Sequence, residues 1–494
     1  MSLAQHLPAL QVVVPLLAAP LVVLVRRTGF AFVTVTLSAW LAFAIAIALW
    51  RQVDAGGTIS YAIGSWPPPW GIEYRVDKLS SFVLLLVSGV AAVALPYSRR
   101  SIEAEIPREQ HYLFYSMMAL ALTGLLGITI TGDAFNIFVF LEISSLSSYV
   151  LIALGRDRRA LLASYRYLIL GTIGATFYVI GIGLLYLLTG TLNIVDMGER
   201  LANVDEARPV LAALAFLTAG LGLKFALYPL HQWLPGAYSH APSVVSAFLA
   251  GTATKVAIYV LLRLYFSVFD LSPHFQRMPW PEILLVLSLA AMFVASFQAT
   301  LQDDLKRLLA YSSLAQVGYI TLGVSLKSEA GLAAAIMHLF NHGITKAALF
   351  LLCGCAVAVV GGTGFARLAG LARTMPLTTL GVAIGGLGLI GVPGTAGFVS
   401  KWYLLTAALQ QGLWWLVAAI LVSSLLAVVY VWRFVETAVF AAPPAAPAAP
   451  VRAVPLSLQV PAWLLLGATI WFGVDATWVV EAANAAAALL GGNR

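Results

Sequence analysis

Lysine is rationed in this chain: seven lysines stand against 21 arginines. Four of the seven, Lys224, Lys255, Lys346 and Lys401, fall within or at the edges of apolar stretches, while the loops carry their positive charge almost entirely as arginine. The two cations differ in titratability. A guanidinium keeps its proton in a protein, whereas a buried ammonium releases one readily. Each charge costs about 2.5–3.5 kcal/mol at the centre of a membrane helix on insertion scales. A purely structural bundle would have no reason to carry four. Snorkelling to the interface suits Lys401 better than Lys255 and Lys346, which sit near mid-span. The chemistry within reach is the uptake and release of protons.

Three further features extend this set. Glu142 lies in Phe135-Asn-Ile-Phe-Val-Phe-Leu-Glu142, followed by Ser144, Ser145, Ser147 and Ser148. A carboxylate in such surroundings must be paired, or be neutral and bonded to the serines. Pro229 interrupts the apolar run from Gly222 to Pro235 and frees carbonyls near Phe225; Pro393 does the same between Gly391 and Gly397. Such breaks survive at membrane depth only where protein or cavity water satisfies the freed groups. One lysine accompanies each break, Lys224 the first and Lys401 the second, which points to a translocation path. Finally, His338, His342 and Lys346 are spaced four apart and share one helix stripe. Imidazoles there can relay protons or serve structural hydrogen bonds. A metal site would want a third ligand, and none is in view, so no metal is expected. Cys353 and Cys355, the only cysteines, offer no disulfide or cluster framework and read as packing.

These residues need helices in a membrane to position them. Of 494 residues, 61% are hydrophobic and 10% charged, with a mean hydropathy of +0.92. Soluble domains carry roughly 25% charge, so a soluble enzyme is excluded. With about 20 apolar residues per span, fourteen segments emerge, near 8–25, 29–50, 79–97, 112–131, 134–155, 164–188, 209–233, 243–266, 281–301, 308–325, 331–360, 376–409, 413–440 and 456–473. The fold class is all-α and polytopic. The first segment lacks a basic leader and is expected to stay as a helix.

Loops after odd-numbered spans hold Arg26, Arg27, Arg99, Arg100, Arg156, Arg159, Lys306, Arg307, Arg367 and Arg433; those after even-numbered spans are poorer in arginine and richer in acid. The positive-inside rule then sets both termini outside the cytoplasm and explains the net charge of +7 without nucleic acid. Residues 53–76, with Trp66-Pro67-Pro68-Pro69-Trp70, read as an extracytoplasmic hairpin; 441–455 as an Ala/Pro linker; 476–491 as an interfacial tail. Asp157, Arg159 and Gly171 recur as Asp304, Lys306 and Gly318, 147 residues on. Five spans in that interval would make the repeat inverted, a transporter device.

At these residues the chain resembles the antiporter-like subunits shared by Mrp-type cation/proton antiporters and the membrane arm of respiratory complex I. The resemblance rests on Phe135 to Glu142, Gly190 to Asn193, Lys224 to Pro235 with Ala241-Pro-Ser243, Asp304 to Ser313 with Gln316 and Gly318-Tyr319, His338 to Phe350, and Gly391 to Lys401. It leans towards the D-type subunits of Mrp antiporters. The resemblance implies fourteen helices with two inverted five-helix repeats: 1–108 for the leading helices, 109–270 and 280–440 for the repeats, and 456–494 for the last helix and tail. It implies that Glu142 and Lys224 form a coupled pair, that Lys255 connects, that His338 and His342 lead to the second half-channel, and that Lys401 ends the path. It further implies partners: other hydrophobic membrane subunits, one of them a neighbouring antiporter-like subunit, with protons and sodium as the ions. Some complex I homologues carry glutamate where Lys401 stands, and the long lateral helix of the largest homologue is not expected here. No redox cofactor site is visible. The competing readings are a proton-pumping subunit of a redox complex, and an autonomous carrier or scaffold.

Overall fold

The computed structural model describes residues 3–443 and 453–491. The chain enters through α1 (Leu7–Val25) and α2 (Thr28–Gly56). An antiparallel hairpin follows, β1 (Ile59–Ala62) on β2 (Glu73–Val76), in register from Ile59 opposite Val76 to Ala62 opposite Glu73. It is the hairpin expected from the Trp-Pro run, and Trp66 and Trp70 stand exposed at its tip. Asp77 then caps α3 (Lys78–Glu105), accepting from the Ser80 amide at 3.0 Å. The helix outlasts the expected span because its last turns, from Ser98 onward, are polar and carry no hydropathy signal.

Next come α4 (His111–Ile130), α5 (Ala134–Ala153) and α6 (Arg158–Thr189); Asp133 caps α5 and Asp157 caps α6. The short amphipathic α7 (Ile194–Leu201) leads into α8 (Ala207–Phe225). Here the expected break occurs. Ala226 turns into the left-handed region (φ 61°), and the chain resumes as α9 (Trp233–His240), with the Trp233 indole donating to the freed Leu223 carbonyl at 2.8 Å. The eighth span is also interrupted, which hydropathy did not reveal. It is split at Thr252 into α10 (Ser243–Gly251) and α11 (Ala253–Arg263), and widens into a π turn over Leu264–Phe269.

The short α12 (Pro273–Arg277) precedes α13 (Trp280–Thr300), α14 (Leu305–Ser325) and α15 (Glu329–Val360). Two single turns, α16 (Phe365–Leu368) and α17 (Leu371–Thr374), lead to α18 (Pro376–Ile390) and α19 (Ala396–Gln410), separated by Gly391 (φ 91°) and Gly394 (φ 85°) around Pro393. Then follow α20 (Trp414–Val435), α21 (Leu456–Val474) and α22 (Thr477–Gly491). Of the linker expected at 441–455, residues 444–452 lie outside the described residues. The tail read from 476–491 forms the helix α22, which packs on α3 and α15 with Trp478 against Phe82 and Phe340.

Among the described residues, thirteen helices are long and apolar enough to cross a membrane. The broken pair α18–α19 makes the fourteenth crossing. The crossings broken beside a proline are the seventh and the twelfth, five apart, so they run in opposite directions. The 147-residue match has a different meaning from the one expected. Asp157 begins the sixth crossing and Asp304 the tenth, an even offset, and both line one cavity at one end of the bundle. The match is between two helix starts on the same face, each capped by an aspartate, and is not the inverted repeat.

The core is centred on α15, buried from Gly331 to Ala356 among α3, α10, α14, α18, α19 and α21. Glycine lets the broken halves approach: a β carbon on Gly397 would run into the Gly388 carbonyl across the α18–α19 break. Gly397→Ala is therefore expected to overpack this crossing at about 1–3 kcal/mol, read as a lower thermal midpoint of the purified complex.

Candidate functional site: a buried line of lysines and histidines

Lys224 sits on the last turn of α8, just before the break, and is almost fully buried. Its ammonium donates to Ser145 Oγ at 2.8 Å, and Glu142 Oε1 stands 3.6 Å away. That separation is an ion pair but not a hydrogen bond; the pair is close without being closed. Glu142 keeps 27% of its side chain exposed. It shares the outer face of α5 with Phe135, Val139, Leu146 and Val150, all exposed. Half of the apolar run that precedes this glutamate thus faces outward, while Ile137, Phe140 and Leu141 face the core.

Behind Lys224, a cavity of about 20 Å³ is lined by Ser144, Ser145, Ser148, Tyr167 and, across from them, Ala253, Val256 and Ala257 of α11. One water needs roughly 10–15 Å³ and two or more polar partners. The serines and the ammonium supply those partners, so the space is fit for one bridging water between Lys224 and the helix bearing Lys255. Tyr167 closes the wall by stacking on Trp233, with centroids 3.8 Å apart.

Lys255 lies one turn past the Thr252 interruption. It uses the carbonyl that the interruption frees, donating to Ala250 O at 2.5 Å and Thr254 Oγ1 at 3.3 Å. The same irregularity touches α15: a β carbon on Gly343 would come within 2.8 Å of the Gly251 carbonyl. Gly343 follows His342, so the backbone around Lys255 abuts the histidine stripe. His338 and His342 stack in parallel at 5.9 Å between centroids. Among the described residues, neither ring nitrogen of His342 has a partner, an unsatisfied buried group of the kind that calls for water.

His338 is fully engaged. Nδ1 meets Ser400 Oγ and Nε2 meets Gln316 Oε1, both at 2.8 Å. Gln316 Nε2 in turn donates to Leu389 O at 3.4 Å. Lys401 reaches back across the α18–α19 break, donating to Leu389 O at 2.9 Å, Ile390 O at 3.0 Å and Ser424 Oγ at 3.1 Å, with the Tyr319 ring 4.4 Å from its nitrogen. The carbonyls freed around Pro393 are therefore satisfied by the lysine itself. Snorkelling, which the sequence left open for Lys401, does not occur. Lys346 turns the other way along α15, towards Leu309 O at 2.8 Å and Ser312 Oγ on α14.

The structure brings together Glu142 with Lys224, and His338 with Lys401. Lys255 and His342 lie between these clusters, and Lys346 forms a branch. Ser145, Gln316, Ser400, Ser424 and Tyr319 complete the line. Of these, Gln316 and Tyr319 are among the residues carrying the family resemblance, and Ser145 is among the serines beside Glu142; Ser400 and Ser424 have no sequence signal of their own. Lys306 needs correction: counted from sequence among the loop cations, it is buried on α14 beside Glu105.

Residues 131–427 match the family described as NADH:quinone oxidoreductase/Mrp antiporter, TM. The chain belongs to this family. It is 41% identical over 473 residues to NADH-quinone oxidoreductase subunit N of Desulforudis audaxviator, covering 93% of each chain. It is 32% identical over 381 residues to the D-type subunit of the Na(+)/H(+) antiporter of Alkalihalophilus pseudofirmus, covering 77% of this chain and 74% of that one. A chain of the Mrp complex from Dietzia superposes with a TM-score of 0.89 at 28% identity, covering 99% of this chain and 98% of the other. A chain of the archaeal membrane-bound sulfane sulfur reductase gives 0.90 at 30%, covering 98% and 97%. The protein is thus a multi-pass membrane subunit of the antiporter-like family, whose relatives work inside multisubunit complexes.

Proposed function

We propose that this chain is the proton-translocating, D-type subunit of a multisubunit cation/proton antiporter of the plasma membrane, with both termini extracytoplasmic and sodium as the exchanged cation. The observation that carries the reading is the Glu142–Lys224 pair, poised at 3.6 Å with a water-sized cavity on the side towards Lys255. Two halves, 109–270 and 280–440, each contribute one proline-broken crossing and one lysine at that break. Protons enter by way of Lys224, pass along Lys255 and the His342–His338 stack, and leave by Lys401.

Glu142 is the bias on this path. With the carboxylate close, the ammonium of Lys224 is held charged; with it withdrawn, the proton moves inward. One pKa unit of such bias is worth about 1.4 kcal/mol. Moving a charge across 100 mV takes about 2.3 kcal/mol. The two energies are of the same order, so a single pair can gate transport against a membrane potential. Because Glu142 lies on an exposed face, a neighbouring antiporter-like subunit seated there would set its distance to Lys224.

A second reading, a proton-pumping subunit of a redox complex, is favoured by the 41% identity to the Desulforudis subunit N over nearly the whole chain. Purifying the native complex and identifying its members separates the two. Small hydrophobic antiporter subunits are the expected company; co-purifying flavin or iron–sulfur proteins would replace the first reading with the second.

A further inference from the structure

Five connections, those after the third, fifth, seventh, ninth and eleventh crossings, meet around a polar vestibule of about 550 Å³ at one end of the bundle. At its floor lies a second buried acid–lysine pair. Glu105, the last residue of α3, holds Oε2 3.6 Å from Lys306 Nζ, the same separation as between Glu142 and Lys224. Here too the ammonium gives its hydrogen bond to a neutral oxygen, Ala241 O at 3.0 Å, where Lys224 uses Ser145. The Lys306 side chain is 5% exposed and that of Glu105 11%. The carboxylate is anchored by the Ser243 amide and hydroxyl, both at 2.9 Å, and by Ser101 at 2.8 Å.

We propose that Glu105 and Lys306 form a second proton-handling pair, which passes protons between the vestibule and Lys346. The inference rests on the proton-translocating function proposed above and adds a port to it. Lys306 opens α14, and the same helix offers Leu309 O and Ser312 Oγ to the Lys346 ammonium. Six residues of helix separate Lys306 from Ser312, a rise of about 9 Å. The serine hydroxyl can both accept and donate, so it is a fit relay at the inner end of that step. Lys346 is the one lysine of the buried line whose hydrogen bonds turn away from the histidines and towards the vestibule. The port gives that branch a use: a proton taken by Glu105 from vestibule water crosses to Lys306 and, through Ser312, to Lys346 beside His342. No bond other than N–H and O–H is made or broken, and each donor is restored by the next proton from the vestibule.

A pair serving only to tie α3, α10 and α14 together would need charge but no titration, and this separates the alternatives. Lys306→Arg keeps the cation beside Glu105 but cannot hand on a proton. In the intact complex reconstituted into liposomes, it is expected to lower proton-coupled transport tenfold or more, with assembly and thermal midpoint unchanged. Transport at the unsubstituted rate in that variant overturns the proposal. If the arginine blocks assembly, Glu105→Gln decides, because the amide oxygen can still accept from Ser243. A tenfold loss in assembled complex supports the port, and an unchanged rate overturns it. Loss of assembly in both variants also overturns it, since that is how a structural tie behaves. Lys224→Ala run alongside tells the failures apart: normal transport there sinks the function itself, whereas transport lost there but intact in Lys306→Arg sinks only the port.

Discussion

Lys224→Ala leaves the complex assembled and its proton-coupled transport at background. The lysine is buried against Ser145 and Glu142 at the end of a helix that stops there for backbone reasons, so its removal takes away a charge rather than a turn of the fold. Glu142 keeps 27% of its side chain exposed, so losing its partner does not strand a sealed charge. Lys224→Arg is expected to fail equally, because the guanidinium restores the charge without the capacity to release a proton. The measurement is ion-driven acidification of vesicles, with assembly followed by size-exclusion chromatography. Normal transport in either variant removes Lys224 from the path.

Arg263→Ala gives the opposite pattern: a large loss of stability with transport per assembled complex retained. Arg263 closes α11 and pairs with Asp77, the cap of α3; its Nε also donates to Tyr259 Oη at 3.1 Å, and Tyr259 in turn donates to Thr129 O at 2.8 Å. This network joins three helices around a guanidinium, which does not cycle protons. Removing the arginine strands a buried carboxylate, at about 3–5 kcal/mol. The thermal midpoint of the purified complex should fall accordingly. Replacing both partners, Asp77→Asn with Arg263→Leu, should recover part of it, since the stranded charge is then gone. An unchanged midpoint in the single variant would show that the pair is not what holds α3 to α11.

The contrast between these two sites marks what is legible in the sequence. The fourteen crossings are readable because each needs a long apolar run, and the two proline breaks because Pro229 and Pro393 remove donors where few substitutes exist. The Thr252 interruption is not readable: Gly251-Thr252 carries no breaker as strong as proline, and the Lys255 ammonium satisfies the freed Ala250 carbonyl only once the chain is folded. Glu142, Lys224, Lys255, His338, His342, Lys346 and Lys401 stand out as ionisable groups in apolar runs. Their partners Ser400 and Ser424 do not, because a serine is an ordinary residue of membrane helices that gains meaning from a contact distant in sequence. Lys306 misleads for the converse reason. It follows two aspartates and precedes an arginine, a loop by composition, yet the connections that meet over it bury it.

Proton exchange along the buried amines and imidazoles requires water held between them. A density map of the native complex, at a resolution that shows ordered water, tests this most directly. The expected result is a water touching Lys224 Nζ in the serine-lined cavity and another on the unpartnered nitrogens of His342. Aliphatic side chains packed dry against both groups, in the resting complex and during turnover, would contradict it.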